Sequence, residues 1–67
     1  MKSVRFEDVN GDYADVEVVI SGDDKFVSLD FDPLVEIYPV TTMHYTAEGA
    51  RKLAAALILA AYEVDGQ

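Results

Sequence analysis

The chain has 67 residues, 51% of them hydrophobic, with 13 acidic and 5 basic side chains and a formal net charge of -8. That balance leaves no basic patch for phosphate-rich partners, so nucleic acid and anionic membranes are excluded as ligands. With no Cys and a single His, the chain has no disulfide, no thiolate metal site and no His cluster, and oligomerisation is the remaining common staple for so small a domain.

The opening MKSVRFED carries charges at Lys2, Arg5, Glu7 and Asp8 and no apolar signal-peptide region, which predicts a soluble, cytoplasmic protein. Period-two alternation then runs through the first half. Val4 and Phe6 alternate with Arg5 and Glu7; Val16, Val18 and Ile20 alternate with Glu17 and Val19; Val27, Leu29 and Phe31 alternate with Phe26, Ser28 and Asp30. Turn residues separate these runs at Val9-Asn10-Gly11-Asp12, Ser21-Gly22-Asp23-Asp24 and Asp32-Pro33.

Register decides the first turn. A two-residue Asn10-Gly11 loop would pair Phe6 with Asp15 and mix apolar and acidic residues on one face. A three-residue loop, Val9-Asn10-Gly11 with Gly11 left-handed, pairs Phe6 with Ala14 and Val4 with Val16 and keeps one face apolar. Leu34 to Tyr38 reads as a fourth short strand that ends at Pro39, and Thr41 to Tyr45 reads either as a fifth strand or as an extended lead-in.

Thr46 to Asp65 predicts one helix, with Thr46 as N-cap, Glu48 favourable to the dipole, Gly49 leaving the capping box incomplete, and Gly66 closing the end. At about 100° per residue, Ala50, Leu53, Ala54, Leu57, Ala61 and Val64 line one face. Ala55, Leu59 and Tyr62 fall on the side that also carries Glu48, Lys52 and Glu63. This second apolar patch predicts an interface, with a second copy or another protein, the alternative being that Leu59 is a single Leu left facing water. The fold class is α+β, a single domain over residues 1–67: an antiparallel meander of four or five strands with the C-terminal helix packed on its apolar face.

Ten of the carboxylates fall between Glu7 and Glu36, against one base, Lys25. With the apolar faces inward, Arg5, Glu7, Asp15, Glu17 and Asp30 share the outer face of the sheet, with Glu36 a further candidate. Carboxylates two apart on a strand are about 7 Å apart, close to the rise of two nucleotides along one DNA strand. The acidic face of Glu7, Asp15, Glu17 and Asp30 is therefore either a solubilising surface or an imitation of a phosphate backbone.

Catalytic chemistry has little to stand on. Asp30-Phe31-Asp32 and Gly22-Asp23-Asp24 place carboxylates together, yet no twelve-residue calcium loop with a terminal Glu fits either pair, and Asp30 and Asp32 share a strand face only if the strand continues through Phe31, where Pro33 predicts a turn instead. His44 has neither a Cys nor a nucleophile elbow to serve, and the four glycines lie apart rather than in a phosphate-binding loop. The expectation is a non-enzymatic protein with no cofactor and no bound metal.

The stretch from Tyr45 through Leu57, YTAEGARKLAAAL, followed by Ala60-Ala61 and Glu63, resembles a pattern common in small proteins of actinobacteria and their phages. In those, a Thr-Pro-Glu-like cap opens an Ala/Leu helix after an acidic β-meander; here Ala47 stands where Pro is frequent. The resemblance covers the last third of the chain. It implies a small accessory or phage-encoded protein with no assigned chemistry and carries over no functional residues. The helix patch, for its part, predicts a homodimer, with a host protein as a further partner and the host cytoplasm as its place if the protein is phage-encoded.

Overall fold

Gly11 adopts φ +87°, a backbone region that costs little only for glycine, and this turns the chain between the first two strands. The computed structural model describes residues 1–35 and 39–66. Among them are strands β1 (Val4–Glu7), β2 (Tyr13–Ser21), β3 (Asp24–Asp32) and β4 (Thr41–Tyr45) and helix α1 (Ala47–Val64).

Asp8 N–H donates to the Asp12 carbonyl at 2.8 Å and Gly11 N–H to the Asp8 carbonyl at 3.3 Å, which closes a three-residue loop. The Asp8 carboxylate accepts from the backbone N–H groups of Asn10 (2.8 Å) and Asp12 (2.9 Å) and locks that turn. The register is the one the apolar face demands: Phe6 opposite Ala14 and Val4 opposite Val16. At the second hairpin, Ser21 pairs with Asp24 across Gly22-Asp23. Gly22 takes φ +62° while Asp23 keeps a negative φ, the signs of a type II′ turn.

The sheet is an antiparallel meander in the order β1-β2-β3-β4. Thr41–Tyr45 is a true strand, with Leu29 opposite Met43 and Val27 opposite Tyr45. The short run beginning at Leu34 differs from expectation: Leu34 and Val35 form a bend, and the Leu34 N–H bonds the Asp12 carboxylate instead of a neighbouring strand. Its remaining residues, Glu36, Ile37 and Tyr38, lie outside the described residues. β3 itself runs through Phe31 to Asp32, so Asp30 and Asp32 do share a strand face, with Pro33 ending the ladder one residue later.

Thr46 caps the helix, its Oγ1 accepting from Gly49 N–H at 3.1 Å. At the other end Gly66, at φ +83°, donates to the Glu63 carbonyl at 3.0 Å, which satisfies one of the terminal carbonyls. α1 packs on β3 and β4, giving the two-layer α+β architecture.

The layers are not closed. A four-stranded sheet is about 14 Å across between its outer strands, and one helix, about 10 Å wide, covers roughly two of them. The half of the apolar face over β1 and β2 is therefore largely uncovered, Val16 alone of its residues lying across from the helix. No hydrophobic side chain among the described residues is fully buried, and the one fully buried polar residue is Ser28, at 2% exposure. The radius of gyration is 13.7 Å, against about 11 Å for a compact chain of this length. The accessible surface is 5572 Å², against about 4,200 Å² for a compact protein of this mass.

Candidate interaction surfaces

Helix α1 presents the first surface. From Leu53 to Tyr62 it carries no charged residue, so its middle is apolar around the whole circumference, a composition suited to burial on several sides. Ala50 and Leu53 reach the sheet and are half-buried. Together with Ala54 and Leu57 they face Val16, Val27, Leu29 and Tyr45 across a gap of ≈ 210 Å³.

The periodicity alone places Leu57, Ala61 and Val64 inward with Leu53. In the structure all three are exposed, as is Ala54 of the same stripe, because only the first turns of α1 lie close on β3 and β4. Ala55, Leu59 and Tyr62 are exposed as expected, Leu59 at 66%. Ile58 is exposed beside them and belongs to the same patch. At 100° steps it falls between the two stripes, which is why a two-stripe reading passes over it.

The second surface is the uncovered half of the sheet's apolar face. Val4 and Phe6 on β1 and Val18 and Ile20 on β2 are all exposed, Phe6 at 56% and Ile20 at 66%. Towards the first hairpin this face deepens into a hollow of ≈ 320 Å³ lined by Phe6, Ala14, Phe31 and Pro33, with Glu7, Asp8, Asp12 and Asp32 around it.

The acidic face is the third surface. Strand parity brings Glu7, Asp15, Glu17 and Asp30 to one side of the sheet, with Asp15 directly opposite Asp30. Two neighbours moderate that clustering. Arg5 Nε donates to Asp15 Oδ1 and its terminal NH₂ to Oδ2, both at 2.8 Å, and the same NH₂ reaches Asp32 at 3.3 Å. The guanidinium also lies 4.5 Å over the Tyr13 ring. The buried Ser28 hydroxyl donates to Asp30 Oδ1 at 3.2 Å.

The hydrogen bonds from Arg5, and then its charge, hold the Asp15 carboxyl below the usual aspartate range against the opposing effect of desolvation. The same pairing raises Arg5, which stays charged throughout. This clamp was recoverable from the chain: the register that pairs Phe6 with Ala14 and Val4 with Val16 sets Arg5 opposite Asp15. Reading the first half as one field of negative charge hides it.

His44 is exposed on this acidic side of the sheet, its ring parallel to Phe26 within 10° and 6.2 Å away. Among the described residues no group of three or more His, Asp or Glu side chains is arranged to hold a metal ion. No described helix is long and apolar enough to cross a membrane.

Fold and surfaces together define a small α+β domain, a four-stranded meander with a single helix, whose apolar faces are larger than its own elements cover. Comparison with protein-family models, with curated proteins and with solved structures finds no match to this chain.

Proposed function

We propose that this is a non-enzymatic interaction protein that self-associates through its C-terminal helix and, as a cytoplasmic accessory or phage-encoded protein, acts by contacting a host protein. The carrying observation is the charge-free helix segment Leu53–Tyr62, which leaves Ala55, Leu59 and Tyr62 exposed in a chain with no fully buried apolar side chain among its described residues. So open a fold gains more from a partner than from any rearrangement of its own few elements. A Leu59→Glu substitution should break self-association; a variant with the parent's mass in solution refutes this interface.

A second reading, an acidic nucleic-acid mimic that occupies a basic site on a host factor, draws support from the grouping of Glu7, Asp15, Glu17 and Asp30 on one face. Arg5 offsets part of that charge by occupying Asp15. A mimic's complex weakens steeply as salt rises, whereas association through apolar faces does not.

A further inference from the structure

Two surfaces of this chain are unfinished, and each has the chemistry the other lacks a partner for. One is the apolar face over β1 and β2, with Phe6 towards the first hairpin and Ile20 at the second. The other is the side of α1 that carries Ile58, Leu59 and Tyr62. A four-stranded sheet needs about two helices to cover one face, and the chain supplies one.

We infer that the second helix comes from a second copy of this chain: α1 of each copy lies between the two sheets, with Leu53 on its own β3 and β4 and Leu59 on the partner's β1 and β2. This rests on the self-association proposed above and extends it by naming the opposing surface, which is sheet rather than helix. Because every copy carries both surfaces, a two-fold axis satisfies both at once and leaves nothing open for further growth.

A helix held between two sheets must be apolar on opposite sides in its middle and can be charged only near its ends. That is the layout of α1, charge-free from Leu53 to Tyr62, with Glu48, Arg51 and Lys52 before that segment and Glu63 after it. The area agrees. The accessible surface of 5572 Å² exceeds that of a compact chain by about 1,400 Å², so a pair that recovers the excess buries about 2,700 Å², within the range of permanent homodimers. A helix-to-helix contact through Ala55, Leu59 and Tyr62 alone would leave Phe6 and Ile20 facing water.

The chain has no Cys, so engineered thiols report proximity without background. Leu59→Cys is mixed in turn with Phe6→Cys and with Ile20→Cys, the chains are allowed to exchange between dimers, and the pairs are oxidised mildly and separated without reductant. Light scattering on the unsubstituted chain runs alongside. The expected result is a dimer in which Leu59→Cys forms a mixed disulfide with at least one of the two sheet variants, in excess of its disulfide with itself.

A dimer in which Leu59→Cys links only to itself, or links to neither sheet position, overturns the helix-on-sheet arrangement and leaves the self-association standing. A chain that is monomeric at every concentration overturns both. Should a thiol variant fail to fold, Ile20→Glu gives the same decision. Since Ile20 is exposed in the single chain, the variant should keep its circular dichroism and lose the dimer, and an unchanged dimer refutes the arrangement.

Discussion

Truncating Leu59 to alanine has opposite consequences for a lone chain and for a dimer. In the lone chain Leu59 is 66% exposed, and alanine is a slightly better helix former than leucine, so the monomer's stability should stay level or rise by a few tenths of a kcal/mol. In the dimer that exposed portion enters the interface. Full burial of a Leu side chain contributes about 2 kcal/mol; two-thirds of that is about 1.3 kcal/mol per copy, and two-fold symmetry doubles it to about 2.6 kcal/mol. At about 1.4 kcal/mol per tenfold, the dissociation constant should weaken about 70-fold, and any unfilled space left behind adds to the loss. Sedimentation equilibrium over a dilution series gives the constant, and thermal melts at the same concentrations give the monomer's stability. A constant within twofold of the parent's would refute the assignment of Leu59 to an interface.

Other perturbations test the fold and its electrostatics. Gly11→Ala forces a Cβ into φ +87° and should cost about 1–2 kcal/mol in urea unfolding, with Gly11→Asn recovering part of it; equal midpoints for all three would contradict the left-handed turn. Thr46→Ala removes the acceptor for Gly49 N–H and should cost about 1 kcal/mol, whereas Thr46→Ser should cost little. Asp15 has its carboxyl lowered from 3.8 in the fold, so its contribution is complete above that value and fades as pH falls through the lower folded one. Asp15→Asn should therefore flatten the acid limb of the stability profile, and a limb parallel to the parent's would show that the Arg5 clamp is not formed. Each copy carries -8, so raising salt should screen the repulsion and tighten the dimer; a dimer that loosens with salt would point to an interface held by ion pairs.

Much of the sheet was legible because one face had to stay apolar. The pairing of Phe6 with Ala14 follows from asking which loop length avoids placing Asp15 beside it, and the structure has that register. β4 was harder to read, since Thr41-Thr42-Met43-His44-Tyr45 alternates only weakly, and its place in the ladder depends on Leu29 and Val27 across from it. The run beginning at Leu34 is apolar enough for a strand, yet Pro33 and the bond from Leu34 to Asp12 direct its first residues into a bend. Along α1, period 3.6 distinguishes Leu53 from Leu59 but does not encode how closely the helix lies on the sheet. Hence Leu57 and Val64 share the inward stripe by phase and are exposed in the fold. The candidate surface of Ala55, Leu59 and Tyr62 came from the sequence; Ile58 beside it, and the largely uncovered half of the sheet, needed the three-dimensional placement of the helix.

The most direct test of the central claim is the mass of the unmodified chain in solution, measured by light scattering during size-exclusion chromatography at two concentrations. Self-association predicts a species of twice the 7.4 kDa chain mass at the higher concentration, with dissociation only on dilution. A species of 7.4 kDa at both concentrations would contradict it.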